Sequence, residues 1–261
     1  MEVRSLGFRT DLMIRALEGS QLTDRGGYVV IRTPRNPDFW WGNFLLVPGP
    51  PAASEPERWL AAFGAEFPGA AHVTLGIDTT AAAGVDIAAY RAHGLAPELS
   101  AVMTAGSLHA PPFPNEAATV RPLTSDEDWR QAAELRAVLT AGMPGSEPEF
   151  LAARVAAERA LTRSGHGWWF GAFAGRKLAA QLGLITDGSG IARYQNVETH
   201  PDARRQGLAG TLVWRAGQHA LADGARTLVI VADPQEGAIR VYRSVGFEQR
   251  ETQLGFARQP G

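Results

Sequence analysis

Apolar positions in the second half of the chain switch repeatedly between helical and strand spacing. A capping sequence followed by apolar residues three and four apart predicts a helix over "TSDEDWRQAAELRAVLTAG" and a second over "SEPEFLAARVAAERALTRSG". The stretch "WWFGAFAGRKLAAQLGLIT" predicts a β-hairpin that turns at Gly175. The pattern continues with the strand "IARYQNVETHP", a helix from about Arg205 to Ala222, the strand "TLVIVAD", the helix "EGAIRVYRSVG" and a last strand near "TQLGFA". This alternation predicts an α/β domain.

The first half of the chain shows a similar pattern. We expect strands over "DRGGYVVIRTP", "DFWWGNFLLVP" and "AHVTLGID", with helices over "EPERWLAAFGAEF" and "VDIAAYRAHG". Between the halves, Pro111, Pro112 and Pro114 remove backbone donors and interrupt both patterns. A linker is therefore predicted at about residues 106–119, between domains at 1–112 and 119–261.

Short segments of the two halves match in the same order. The segment "AAYRAHGL" aligns with "RVYRSVGF", and a strand that ends in aspartate, Asp78 or Asp233, precedes each of them. Further upstream, "FLLVP" ending at Pro48 aligns with "VETHP" ending at Pro201. These matches favour two copies of one α/β unit.

Composition restricts the classes of function. The chain has 261 residues, of which 45% are hydrophobic and 20% charged, with a net charge of −2 and no cysteine. A net charge so close to zero does not favour nucleic acid or membrane partners, and the lack of cysteine excludes disulfides and thiolate metal sites. The N-terminal residues contain acidic side chains and no unbroken apolar core. We therefore expect a cytoplasmic protein with no metal centre.

The two halves differ in the segment that follows the matched prolines. After Pro201, "DARRQGLAG" places a glycine-bearing turn at the start of a helix, where unpaired N–H groups and the helix dipole favour phosphate. After Pro48, "GPPAASEPERW" has two prolines without N–H donors, and Glu55 and Glu57 add negative charge. Only the second half is predicted to bind a pyrophosphate.

Two motifs in the second half resemble those of the GNAT superfamily of acyl-CoA-dependent N-acyltransferases. Arg204 to Ala209 fits the Q/R-x-x-G-x-G/A signature, and Ala238, Tyr242, Gly246 and Phe247 fit a second acyl-CoA element. The resemblance implies an α/β (α+β) fold of two GNAT-like units, each a mixed, mostly antiparallel central sheet flanked by helices. It also implies a splayed strand pair that holds acyl-CoA in the C-terminal unit, with the N-terminal unit as a degenerate copy.

The same resemblance implies acetyl-CoA, or another acyl-CoA, as co-substrate. Backbone N–H groups across Arg205 to Gly210 would bind the pyrophosphate, and Val197 and Thr199 would pair with pantetheine amides and polarise the thioester carbonyl. The predicted cofactor-binding residues are Val197, Glu198, Thr199, Arg204, Arg205, Gln206, Gly207, Leu208, Ala209, Gly210, Gln235, Ala238 and Tyr242.

Two side chains are predicted to be catalytic, Tyr242 and Glu198. The resemblance assigns Tyr242 to proton donation to the departing thiolate. The general base is left open between Glu198, His200 and a chain of water molecules, and each of the two side chains also fits an ordinary surface position. Tyr90, which aligns with Tyr242, has no phosphate loop beside it and is interpreted as structural.

The predicted function is transfer of an acetyl or other acyl group to a primary amine of a small molecule or peptide, by direct attack in a ternary complex. The alternative is a non-catalytic acyl-CoA-binding regulatory module. Specificity is expected to come from the two early helices of this half and their connection, "LTAGMPGSEPEF", which is interpreted as a lid. Glu147 and Glu149 in this stretch could attract a cationic amine, but they also fit a capping role in the first turn of a helix. The sequence does not choose the amine, and it leaves a homodimer open.

Overall fold

The computed structural model describes residues 1–37, 39–142, 146–235 and 237–259. It is a mixed α/β structure of mostly antiparallel strands flanked by helices, as predicted. One compact unit comprises Met1–Val102, Val231–Gln235 and Gln249–Gly261, and the other comprises Met103–Ile230 and Glu236–Glu248. The predicted domains, 1–112 and 119–261, are continuous in sequence, whereas these units are not. The predicted boundaries therefore remain a prediction.

The elements follow one another with short connections. The first part of the chain forms α1 (Leu6–Leu17), β1 (Gln21–Asp24), β2 (Val29–Arg32), β3 (Phe44–Pro48), α2 (Pro56–Glu66), β4 (Val73–Asp78), α3 (Ile87–Ala92) and β5 (Ala96–Ala105). The second part forms β6 (Thr119–Pro122), α4 (Asp126–Thr140), α5 (Pro148–Arg163), β7 (Gly167–Ala174), β8 (Lys177–Thr186), β9 (Ile191–Thr199), α6 (Leu208–Ala222), β10 (Thr227–Ala232), α7 (Ala238–Arg243) and β11 (Glu248–Arg258).

The first unit contains the strand order β1-β2-β3-β4-β11-β5. β3 and β4 are parallel and stay paired to their last residues, Pro48 and Asp78. β11 comes from the far end of the sequence and pairs antiparallel with β4, from Leu254 opposite Ile77 to Arg258 opposite Val73. The sequence pattern did not predict α1, β1 or β5, and the strand expected over "DRGGYVVIRTP" corresponds to β2.

The start of α1 is held by a residue that is distant in sequence. The carboxylate of Asp78, at the end of β4, accepts hydrogen bonds from the backbone N–H groups of Arg4 and Ser5 and from the Ser5 hydroxyl, at 2.9–3.1 Å. Ser5 itself makes no side-chain cap. The aspartate that ends the first matched strand therefore has a structural task, because it satisfies donors that the helix leaves unpaired.

The second unit contains the strand order β10-β9-β8-β7-β6. The predicted hairpin of β7 and β8 turns at Gly175, whose φ is +60°. The predicted cap of α4 is also present, since Ser125 and Asp128 form a reciprocal capping box. On β7, Trp168 and Phe170 contact His219 of α6, whereas Trp169 contacts Trp129 of α4. The helices α6 and α4 thus cover opposite faces of this sheet.

No helix within the described ranges is long and apolar enough to cross a membrane. Likewise, the described residues contain no group of three histidine, aspartate or glutamate side chains placed to hold a metal ion.

Candidate active site

Strand β9 is irregular where the sequence predicted the acyl group to lie. Gln181 of β8 is opposite Glu198, but Gly183 is opposite Gln195, so β9 contains one more residue than β8 across this interval. Asn196 lies in this bulge with a φ of +48°, a left-handed value that is uncommon outside glycine. Bulges bend a strand and redirect its backbone groups.

Beside the bulge, β9 loses its parallel neighbour. Its pairing with β10 covers Ile191 to Arg193 and stops at the pair of Arg193 and Val229. Within the described residues, β9 is then paired only with β8 as far as Thr199. The half-buried Val197 and Thr199 thus lie on a strand with an open edge, as expected of a splayed pair. An open edge presents unpaired N–H and C=O groups.

Glu198 is anchored on the face of the sheet that α4 covers. One of its carboxylate oxygens accepts a hydrogen bond from Arg136 Nε at 3.0 Å, and the other accepts one from Gln181 Nε2 at 2.6 Å. Its side chain is 18% exposed. Glu198 is therefore neither a plain surface residue nor a free carboxylate, and its role as a base stays a prediction.

The sequence reading missed the buried polar cluster that surrounds Glu198. Arg136 of α4 donates from one nitrogen to both oxygens of Glu158 on α5, at 2.6 and 2.7 Å. Glu158 also accepts a hydrogen bond from the side-chain nitrogen of Asn196 at 2.9 Å. The cluster of Arg136, Glu158, Asn196, Glu198 and Gln181 thus ties both helices to the bulge. Separate arginine and glutamate positions on amphipathic helices gave no signal that they would meet.

Burial and two arginines act in opposite directions on the carboxyl of Glu158. Burial raises its pKa above the ordinary 4.5, the positive charges of Arg136 and Arg154 offset part of that rise, and the resulting pKa is about 7. Burial has this effect because it disfavours the charged form. The two arginines therefore stabilise a negative charge that burial opposes.

The predicted phosphate loop begins after β9. Pro201–Ala203 forms a short 3₁₀ turn, Arg205 and Gly207 have φ values of +61° and +76°, and α6 starts at Leu208. Within the described part of the chain, none of the backbone N–H groups of residues 205–210 donates a hydrogen bond. We call residues 205–210 the loop nest. Such a row of donors at a helix N-terminus suits an anion.

Two carbonyl groups of the loop nest, those of Gln206 and Gly207, accept hydrogen bonds from side chains. The Asn115 side chain donates to the carbonyl of Gln206 at 2.8 Å, and the backbone N–H of Asn115 donates to the Thr211 hydroxyl at 2.8 Å. That hydroxyl donates in turn to the carbonyl of Gly207 at 2.9 Å. Because the carbonyls are engaged, the loop is fixed while its N–H groups stay unpaired.

The linker predicted at about residues 106–119 is irregular, as expected, as far as β6. Residues 106–118, which we continue to call the linker, contain no helix or strand and pack along α6. A Cβ atom on Gly207 would overlap the carbonyl oxygen of Phe113, and one on Gly210 would approach Pro111 to 3.2 Å. Glycine at 207 is thus required by the linker and by its own positive φ as well as by any phosphate.

Tyr242 is 6% exposed and lies on α7 with its ring edge toward Phe247. The helix predicted over "EGAIRVYRSVG" extended to Gly246, but α7 ends at Arg243. Gly246 instead has a φ of +112° and terminates the helix, with its N–H bonded to the carbonyl of Arg243. Ala238 is the first residue of α7.

The other predicted site residues take ordinary positions. Arg204, Arg205 and Gln206 are exposed, whereas Leu208 and Gly210 are buried and Ala209 is half-buried. His200 accepts a hydrogen bond from the N–H of Asp202 and caps the 3₁₀ turn. Gln235 falls in the first compact unit, where its N–H donates to Asp233. The predicted lid includes residues 143–145, which lie outside the described residues; Glu147, beyond them, makes no side-chain cap.

Part of the chain is similar to a known family. Residues 132–247, from within α4 to just after α7, match the sequence model of the Acetyltransferase (GNAT) family. This match confirms the resemblance drawn from the two motifs. The comparison with curated protein sequences gave no match.

Solved structures share the fold at low sequence identity. A GCN5-related N-acetyltransferase from Kribbella flavida has a TM-score of 0.66 and 20% identity, covering 98% of this chain and 95% of its own. Another from Sphaerobacter thermophilus has a TM-score of 0.63 and 21% identity, covering 96% and 86%. A tandem GNAT protein from the clavulanic acid biosynthesis pathway has a TM-score of 0.51 and 18% identity, covering 73% and 64%.

Proposed function

We propose that the second unit is an N-acyltransferase that moves an acyl group, most simply acetyl, from acyl-CoA to a primary amine. The observation that carries the proposal is the loop nest, whose six backbone N–H groups have no partner among the described residues. It directly follows the open-edged strand β9, within the residues that match the GNAT family model. The exposed Arg204 and Arg205 add positive charge next to the nest. These residues fit a pyrophosphate joined to an extended amide-bearing arm.

Binding uses backbone groups throughout. The loop nest binds the pyrophosphate, and the open edge of β9 at Val197 and Thr199 pairs with the two amides of the pantetheine arm. The bulge at Asn196 directs a backbone N–H toward the thioester oxygen, where it stabilises the negative charge that develops during attack. When bound, acyl-CoA supplies an activated carbonyl and a thiolate leaving group.

Proton transfer completes the reaction. The neutral amine attacks the carbonyl carbon, the carbon–sulfur bond breaks, the nitrogen loses a proton and the sulfur gains one. Tyr242 donates the proton to the sulfur. Glu198 receives the proton of the amine through water, on a lone pair that its hydrogen bonds from Arg136 and Gln181 do not use. Holding amine and thioester together supplies much of the rate enhancement.

The test is a panel of amines assayed for thiol release from acetyl-CoA. The panel contains amino acids, aminoglycosides, polyamines and peptides with free N-termini, and mass spectrometry identifies the acetylated product. We expect at least one amine to give thiol release that requires both the amine and the enzyme. Tight CoA binding with no turnover for any amine would favour the alternative, a regulatory acyl-CoA-binding module.

A further inference from the structure

One phenylalanine beside the loop nest is exposed far more than other apolar side chains. Phe113 is 85% exposed, whereas the other large apolar side chains that the structure describes as exposed, Leu22, Leu99 and Val138, lie between 39% and 49%. It belongs to the linker, between Pro112 and Pro114. A single exposed apolar residue needs no explanation by itself, so its position decides whether it has a task.

The backbone that carries this ring is fixed on both sides. Pro111 is buried against Gly210, and Asn115 is hydrogen bonded to Gln206 and Thr211. Between them, the carbonyl oxygen of Phe113 lies against Gly207, on the side where a side chain would be. The flanking prolines restrict φ further. The ring is therefore exposed to solvent on a rigid support, which lowers the entropy cost of binding a ligand.

The chemistry of acyl-CoA supplies a partner for such a ring. Its adenosine is attached to the pyrophosphate through the ribose, so the base must lie close to the segments that border the loop nest. Those segments present the charges of Arg204 and Arg205 for phosphate groups, and Phe113 provides an aromatic face for a base. Bases stack on aromatic side chains without needing a hydrogen-bond pattern.

We propose that the linker forms the outer wall of the acyl-CoA site, with the ring of Phe113 as the platform on which the adenine base stacks. This inference rests on the proposed function, because it takes the loop nest as the pyrophosphate site. It gives the linker a part in cofactor binding in addition to its connection between the halves of the sequence. The adenine-bearing end of the donor would then depend on Phe113, and the pantetheine end would not.

The test compares two ligands that differ only in the presence of the nucleotide. Binding of CoA and of 4′-phosphopantetheine is measured by titration calorimetry for the wild type, Phe113→Ala, Phe113→Trp and the control Leu22→Ala. Removing one stacked base corresponds to a loss of affinity of about 5- to 150-fold. We expect that loss for CoA with Phe113→Ala, wild-type affinity with Phe113→Trp and Leu22→Ala, and no change for phosphopantetheine in any variant.

The outcomes separate this inference from the function on which it rests. If Phe113→Ala binds CoA as tightly as the wild type, the platform is wrong while CoA binding stands. If it weakens CoA and phosphopantetheine equally, Phe113 acts only by supporting the loop, and the inference is again overturned. If the wild type binds neither ligand, the proposed function itself fails.

Discussion

Tyr90 and Tyr242 lie in the last turn of corresponding helices of the two units and differ in their surroundings. In each case a glycine four residues later has a positive φ, +75° at Gly94 and +112° at Gly246. In each case the backbone carbonyl of the tyrosine accepts a hydrogen bond from the residue after that glycine. This is the Schellman ending of a helix, so part of the sequence match between the halves records a shared helix cap.

In the first unit, residues of the chain itself occupy the region that corresponds to the proposed acyl-CoA site of the second unit. The hydroxyl of Tyr90 donates to the carbonyl of Ala53 at 2.7 Å, and its ring stacks on that of Phe256 with the ring centroids 3.9 Å apart. Burial raises the pKa of Tyr90 to about 12. Ala53 lies in the segment that corresponds to the loop nest, and the neighbouring parallel strands stay paired to their ends at Pro48 and Asp78. The structural interpretation of Tyr90 is thereby supported.

The difference lies in the region to which we assign the proposed function. Both units have a parallel strand pair, a connecting helix and a tyrosine-bearing helix. Strand β9 carries a bulge and loses its parallel partner early, whereas β3 and β4 stay paired to their last residues. In the loop after β9, six consecutive backbone N–H groups donate no hydrogen bond within the described chain. The identification of the first unit as a degenerate GNAT copy remains a prediction, which the following experiments address.

The largest effect is expected from separating the halves. A fragment of residues 117–261 retains β11 but removes β4, the strand with which β11 pairs. It exposes the buried Leu254 and Phe256, and burial of each such side chain contributes about 1.5–3 kcal/mol. We expect an aggregating or poorly active fragment, measured by size-exclusion chromatography and thiol release. A soluble, fully active fragment would show that the first half has a separate task.

The second-largest effect is expected at Tyr242 in the second unit. Tyr242→Phe keeps the ring and removes the acid, so kcat should fall by about 10²–10⁴-fold with little change in acetyl-CoA affinity. Tyr90→Phe is the matched control and should leave kcat unchanged. If chemistry limits the rate and the Tyr242 variant retains kcat within about threefold, a range well below that expected for a positioned acid, the proton donor lies elsewhere.

The third experiment introduces into the second unit a negative charge that the first unit carries at the corresponding helix position. Ala209 is the second residue of α6, and Glu57 occupies that place in α2. Ala209→Glu should weaken CoA binding by on the order of 100-fold through repulsion of the pyrophosphate, while acids are well tolerated at helix starts. Ala209→Gln controls for size. Calorimetry of the wild type should give one site per chain, and two equal sites would contradict the predicted difference between the halves.

The fourth experiment uses the titration of Glu158. Because its folded pKa of about 7 exceeds the ordinary 4.5, the folded state binds this proton more tightly, and its contribution to stability falls as pH rises between those values. Glu158→Gln cannot titrate and should remove that part of the pH dependence. Urea unfolding at several pH values measures it, with Glu134→Gln, on the exposed surface of α4, as control. Parallel slopes for wild type and Glu158→Gln would exclude the assignment.

The smallest effect is expected at Tyr90 in the first unit. Tyr90→Phe loses the hydrogen bond to the Ala53 carbonyl and should cost about 1 kcal/mol of unfolding free energy. Chemical denaturation detects a change of this size. A loss of acyl transfer in this variant, without a matching loss of stability, would show that the first unit takes part in function.

Local patterns were sufficient for most of the fold. Alternation and the glycine turn predicted β7 and β8, and the capping sequence at Ser125 predicted the start of α4. Helix α1 was missed because the acceptors at its start are far away in sequence: Asp78 accepts from the N–H groups of Arg4 and Ser5, and Glu251 accepts from those of Leu6 and Gly7. Strand β5 was missed because "APELSAVMTA" has no clear alternation and contains a proline.

The residues of the candidate site also fall into two groups, those that a local motif predicts and those that it does not. The loop nest and Tyr242 could be named from the sequence, because short motifs encode them. The cluster around Glu198 could not, since Arg136, Glu158 and Gln181 belong to three elements that meet only after folding. The role of Asn115 was hidden for the same reason, because its partners Gln206 and Thr211 follow almost a hundred residues later.

The pairing of β11 with β4 has a consequence for how the protein is made. The ribosome completes β1 to β5 long before it reaches residues 248–258, so the nascent first half waits without the strand that lies between β4 and β5. Until then two strands expose unpaired edges, which are sites of misassociation. Pairing over so long a sequence separation is also slow. We therefore expect a premature stop codon shortly before residue 248 to prevent the first half of the protein from folding. We also expect the yield of the full-length protein in cells to depend on chaperones.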